Sequence, residues 1–221
     1  QSAFDRTLVT AMYDPILDAL RRGAVAEALT AAEALVAERP DDAQALRWLS
    51  TAQMQGGQPD AALATIDRAI ALAPENADLH LARAGVLVGS RRNEDAQAAL
   101  SQATVLDPNQ FTAYVIQGQL ALGRGDLDEA ERLARLAARV APDHPQLAAI
   151  TGMVALRRGN ADEAIRIVSA ALQQAPDDVQ LRYALGFIHM GMSHWAFAEQ
   201  AFRTVVEKVP GSDNLRSLIA D

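Results

Sequence analysis

Residues 111–144 read FTAYVIQGQLALGRGDLDEAERLARLAARVAPDH, from Phe111 to His144. The stretch is a helix, a tight turn, a second helix and a closing proline. Gly125 suits the residue after the first helix, Asp126 suits the N-cap of the second, and Glu129 stands where a capping box would place its carboxylate. Pro142 stops the second helix, because its ring and missing N–H cannot continue it. The same grammar extends in both directions. Prolines stand at 40, 74, 108, 142, 176 and 210, each 34 residues after the last. Twelve residues before each is an alanine: Ala28, Ala62, Ala96, Ala130, Ala164 and Ala198. Two fixed positions matched in every period define a repeat array, in which each helical hairpin buries its apolar face only by stacking on its neighbours.

The period divides the chain into a lead-in over 1–8, six hairpins over 9–42, 43–76, 77–110, 111–144, 145–178 and 179–212, and a remainder over 213–221. The first hairpin is degenerate. Residues 3–12 suit a short leading helix, Asp14-Pro15 suits an N-cap followed by proline at the first helical position, and Gly23 ends a helix over Asp14–Arg22. Ala26–Arg39 is its partner. Asp42 can cap the next helix, and Gly56-Gly57 turns into Pro59. Gly159-Asn160, with Glu163, repeats the turn chemistry of Gly125-Asp126, and Pro145 opens its hairpin. Ser90-Arg91-Arg92-Asn93 is a weaker turn, and Met192-Ser193-His194-Trp195 an unusual one. Leu215, Ile219 and Ala220 fall one period after Leu181, Leu185 and Gly186, so 213–221 reads as the start of a seventh hairpin or a capping helix.

Composition narrows the chemistry. Half of the 221 residues are hydrophobic and few are aromatic, which suits helices packed through small side chains. The formal net charge of -8 disfavours nucleic acid, whose backbone requires a basic face. There is no cysteine, which removes disulfides, thiolate metal sites and a cysteine nucleophile. No apolar run reaches the length of a membrane span. Lys208 is the only lysine, which reads as a coding bias of a bacterial source. The compartment is left open, with the cytoplasm favoured and the periplasm admissible.

The 34-residue unit resembles the tetratricopeptide repeat family over about residues 9–212. The family's small eighth residue is Ser50, Ala84, Gly118, Gly152 and Gly186. Its twentieth is the alanine series, and its twenty-seventh is Ala69, Ala103, Ala137 and Ala171, with Leu35 and Val205 departing. The large residue common at the fourth position survives as Tyr114 and in part as Leu46, whereas His80, Ala148 and Arg182 depart. The resemblance implies an all-α, right-handed superhelical solenoid of about six helix–turn–helix repeats. The first helix of each repeat would line a concave groove.

The family's groove positions put Leu81, Val88, Val115, Leu122, Met153, Leu156, Tyr183, Phe187 and Met190 in one apolar strip, with Arg157 at its edge. Phe187 and Met190 are the strongest candidates for exposure. A large apolar surface marks an interaction site, so the expected partner is a protein or peptide. Homo-oligomerisation through the strip is a further expectation. The chaperone-binding and asparagine-ladder subtypes do not fit: the fifth positions are Arg47, Leu81, Val115, Ala149 and Tyr183, and the sixth are Trp48, Ala82, Ile116, Ile150 and Ala184.

No cofactor, metal or catalytic set emerges. His189 and His194 are five apart rather than four, without the glutamate of a zinc helix. Asp41-Asp42 and Asp177-Asp178 follow the closing prolines, where caps are needed. Gly118…Gly123-Arg124-Gly125 lacks the Lys-Ser/Thr of a phosphate loop. The expected function is a non-catalytic scaffold. The alternative is a substrate-recruiting arm of a larger enzyme of glycosyltransferase, sulfotransferase or hydroxylase type.

Overall fold

Six turns of one kind organise the chain. In the computed structural model, which describes residues 11–208, the helices are α1 (Asp14–Arg21), α2 (Val25–Glu38), α3 (Ala43–Gln55), α4 (Pro59–Leu72), α5 (Ala77–Gly89), α6 (Asn93–Leu106), α7 (Phe111–Arg124), α8 (Leu127–Val140), α9 (Pro145–Arg157), α10 (Ala161–Gln174), α11 (Val179–Gly191) and α12 (Trp195–Lys208). No strand occurs among the described residues. The leading segment, apart from its last residues, and the remainder over 213–221 lie outside them. The chain divides into two compact units after Pro108, with α1–α6 in the first and α7–α12 in the second.

Each odd-numbered helix passes to its even-numbered partner through the same backbone device. The residue that follows the turn's left-handed residue donates its N–H to the carbonyl five residues earlier, as Asp126 does to Ala121 (2.9 Å) and Asn160 to Ala155 (2.9 Å). This six-to-one bond is the Schellman closure. It requires a left-handed residue, supplied by Gly23, Gly57, Gly125 and Gly159 at φ between 68° and 85°. The two weak turns close in the same way without glycine. Arg91 and Ser193 take φ 60°, and Arg92 and His194 donate to Leu87 (2.8 Å) and His189 (2.9 Å).

The caps depart from expectation in detail. Asp42 accepts from the N–H groups of Gln44 and Ala45, Asp178 from that of Leu181, and Asp126 from that of Glu129 at 3.1 Å. The reciprocal half of the capping box is absent, because Glu129 is held by Arg132 at 2.6 and 2.7 Å. Glu163 is likewise held by Arg166, and Asn160 makes no side-chain cap. A bidentate, charge-assisted pair outcompetes a single bond to a backbone N–H. In the first hairpin, Asp14 lies inside the helix and Tyr13 is the N-cap, one residue earlier than expected. The Tyr13 hydroxyl donates to Asp42 at 2.8 Å, tying the start of α1 to the cap of α3. Burial, and then this bond, push the phenol up to about 12.

Within each unit, paired helices pack through the small positions. The periodic alanines are buried in every hairpin, at 4% exposure or less. In the first unit, Ser50 donates to the carbonyl of Ala62 at 2.7 Å. Leu46, Ile66, Ala69 and Leu79 form one core cluster there, and Ile16, Ala32 and Leu49 another. In the second unit, Gly118, Gly152 and Gly186 face the partner helices. A Cβ on Gly152 would lie 2.5 Å from Val168 Cγ2, and one on Gly186 would overlap the Phe202 ring. A fully buried leucine or isoleucine contributes about 1.5–3 kcal/mol, so these layers carry much of each unit's stability.

Candidate functional site

The first helices of the second unit converge on one pocket. Gln119 and Leu122 come from α7, Ala149, Ile150 and Met153 from α9, and Gln180, Tyr183, Ala184 and Phe187 from α11. The pocket has a volume of about 300 Å³. Register explains the convergence. Residues three, four and seven positions apart share one helix face and recur at equivalent places in successive hairpins, so stacking brings equivalent side chains together.

The aromatic wall is preorganised. Phe187 packs at 4.7 Å from Tyr183 and 5.1 Å from Phe202, the latter edge-on. Such offset and edge geometries suit the ring quadrupoles. Phe202 is buried, whereas Tyr183 is 43% exposed and presents its ring to the pocket mouth. Arg157 is the only charged residue among the groove positions of α7, α9 and α11. Its Nη1 donates to the Leu122 carbonyl at 3.1 Å, linking the last turns of α9 and α7. The adjacent Arg158 makes ion pairs elsewhere, with Asp128 at 2.6 Å and Glu131 at 2.7 Å.

The strip read from the sequence is therefore divided. Leu122, Met153, Tyr183 and Phe187 line the pocket. Leu156 and Met190 are half-buried against neighbouring core clusters. Phe187 and Met190, the strongest candidates for exposure, are both half-buried against the cluster of Ala198, Phe202 and Val205, and Tyr183 is the more open residue. Val115 does not belong to the strip's surface. It is 2% exposed and sits in the core with Leu133 and Ile150, because α7 turns that face onto α8 and α9. Leu81 and Val88 are half-buried on α5 of the first unit. The pocket also uses Ile150 and Ala184 as lining. Apolar residues at the sixth position were the available signal, but it was read only as the lack of an asparagine ladder.

The first unit holds one cationic group at its groove positions, Arg47, whose guanidinium lies 3.9 Å from the centroid of the Trp48 ring. Burial pulls its pKa down, and Asp78 opposes that shift. The rings of His189 and His194 lie 5.8 Å apart between centroids, at an interplanar angle of 39°. His189 stacks on Phe197 at 5.2 Å, and burial followed by the neighbouring His194 lowers its pKa. Among the described residues no group of three His, Asp or Glu side chains is placed to hold a metal, and no helix is long and apolar enough to cross a membrane.

Two sequence models described as tetratricopeptide repeat match the chain, one over 13–77 and 117–179 and the other over 57–115 and 155–221. A search of curated proteins found no match. Among solved structures, the chain is similar to PilW, a widely conserved type IV pilus biogenesis factor, at 14% identity and TM-score 0.74, covering 96% of this chain and 98% of that one. It is similar to pilF of Pseudomonas aeruginosa at 18% identity and TM-score 0.70, covering 96% of each. It is also similar to a chain of an APC/C hetero-tetramer at 15% identity and TM-score 0.79, covering 93% of this chain but only 41% of that one. These TM-scores show a shared helical-repeat fold.

Proposed function

The chain belongs to the tetratricopeptide repeat family, and from that premise we propose that its second unit docks a protein or peptide segment across the first helices α7, α9 and α11. The single observation that supports this reading is the pocket walled by Leu122, Met153, Tyr183 and Phe187. An apolar recess of about 300 Å³, bordered by the amides of Gln119 and Gln180, suits one large apolar side chain with its backbone hydrogen-bonded at the rim. Burying one such side chain contributes about 1.5–3 kcal/mol, whereas association costs on the order of 4–15 kcal/mol. A single anchor does not hold. The segment must extend from the pocket along the rest of the face, which favours a peptide over a small polar ligand. Repeat proteins of this fold act through such surfaces, and scaffolding rather than catalysis is the role that follows.

The test is a peptide library panned on the protein, followed by calorimetry of the selected peptides. Gln119 is exposed at the pocket wall, so Gln119→Trp plugs the recess without removing a core contact. The variant is expected to fold normally and to bind the selected peptides at least tenfold more weakly. Equal affinity would place the docking surface elsewhere.

A further inference from the structure

A second cavity opens in the second unit on the side of the second helices, between α8 and α10 and over the start of α9. It has a volume of about 480 Å³ and is lined by Ala134, Ala138, Pro142, Ala148, Ile167 and Ala171, among others. Its origin lies in a departure from the repeat. At three other closing prolines the carbonyl is satisfied by a cationic or imidazole side chain. Arg68 donates to Pro40 at 3.0 Å. His80 donates through Nε2 to Pro74 at 2.8 Å. Arg182 donates to Pro176 through Nε at 3.0 Å and Nη2 at 2.6 Å. His80 and Arg182 each stand six residues after the proline they reach. In the fifth hairpin that place is held by Ala148, which is too short. Among the described residues no donor reaches the Pro142 carbonyl.

We propose that this cavity receives the arginine side chain of a partner protein. The alanines and Ile167 would cover the aliphatic stem, as long basic side chains pack their methylenes on apolar surface. The guanidinium would donate to the Pro142 carbonyl, in the arrangement that Arg182 makes within the chain. The rim supports a cation. Of its two carboxylates Glu131 is already held by Arg135 and Arg158, so the one left for an incoming cation is that of Asp143. Asp143 is exposed beside Pro142. A guanidinium is favoured over an ammonium, because its planar fork can serve a carbonyl and a carboxylate together. The site is formed by other residues than the α7–α9–α11 pocket, and each can fail without the other.

The probe is the peptide acetyl-Gly-Arg-Gly-amide, followed by amide chemical shifts, with its citrulline and lysine counterparts as comparators. Saturable shifts centred on Asp143, Ala148 and Ala171 are expected, at a Kd on the order of millimolar, as befits a single side chain. The citrulline peptide, which keeps the shape and loses the charge, is expected to bind at least tenfold more weakly, and the lysine peptide several-fold more weakly. Ala148→Arg supplies the side chain within the chain and is expected to abolish the shifts. Asp143→Asn, at an exposed position, serves where the larger substitution disturbs folding, and should weaken binding at least threefold. Gln119→Trp should leave binding unchanged. Absence of saturable shifts, equal binding of citrulline, or binding indifferent to both cavity variants would overturn the proposal.

Discussion

Gly118, Gly152 and Gly186 hold one register position in three successive hairpins, yet replacing each with alanine should give three different results. Alanine in a helix interior is about 0.8–1.0 kcal/mol more favourable than glycine. Opposing that gain is whatever the new methyl meets. On Gly118 the nearest atom is Ile150 Cδ1 at 3.4 Å, an ordinary contact. Gly118→Ala should therefore stabilise the protein by about 0.5–1 kcal/mol. On Gly152 the methyl would lie 2.5 Å from Val168 Cγ2. Valine is stiff about χ1, so the helix must shift slightly and the net effect should fall near zero or below. On Gly186 it would meet three atoms of the Phe202 ring, with Cδ1 at 2.7 Å and Cζ at 2.8 Å. Overpacking costs about 1–3 kcal/mol. Less the helix gain, Gly186→Ala should destabilise by up to about 2 kcal/mol.

The assay is urea unfolding followed by far-UV circular dichroism on the three variants and the parent. Phe202→Leu is then added to the parent and to Gly186→Ala. The cycle should show a favourable coupling above about 0.5 kcal/mol, since the smaller side chain vacates the space that the methyl needs. If Gly118→Ala were as damaging as Gly186→Ala, the reasoning would fail. The small residue would then be required by the approach of the helix backbones and not by the side chain opposite.

Ser193 occupies the left-handed turn between α11 and α12, where a non-glycine residue costs about 1–2 kcal/mol and glycine's larger unfolded-state entropy returns about 0.5–1 kcal/mol. Ser193→Gly should thus raise stability by about 0.5–1 kcal/mol, read as a rise of about 1–4 °C in Tm, and an unchanged or lower Tm would contradict the strain. His189 has its Nδ1 buried without a hydrogen-bond partner and faces His194 and Phe197. Its pKa is lowered by folding, so the unfolded chain binds the proton first and stability is lost as pH falls from about 6.5 toward the lower folded value. The urea midpoint should drop between pH 7.5 and 5.5. In His189→Leu, which copies the buried Leu87 of the equivalent place on α5, that drop should shrink, and an equal drop in both proteins would assign it to other groups.

The fold was legible because its determinants are strictly local and periodic. A proline that ends a helix, a glycine that closes a Schellman turn and an alanine that admits a neighbouring helix each act through the backbone beside them; the proline and the alanine recur every 34 residues, and the glycine in four of the six turns. Arg91 and Ser193 show the strength of this consistency. Neither favours a left-handed turn, and both adopt it because the hairpins around them leave no other closure. The caps were less legible, because Glu129 had two competing partners. Which one wins depends on the reach of Arg132, one turn further along the same face, and a capping pattern alone does not weigh that.

Exposure was the least legible property, and the reason is geometric. A groove position states which face of a helix points toward the partner surface, but the size of the residues on the flanking helices decides how much of that face remains open. Val115 closes against Ile150 and Leu133, whereas Tyr183, at the same register position two hairpins on, stays open because Ala149 precedes it in the stack. The same dependence produced the cavity beside Ala148. In the sequence that alanine was only a departure at the fourth position. Its consequence became visible once His80 and Arg182 were seen to spend their polar ends on proline carbonyls, leaving Pro142 as the counterpart without a donor. In a periodic protein the period specifies the scaffold. The interruptions, each measured against the chain's own repeats, are where binding chemistry can be read.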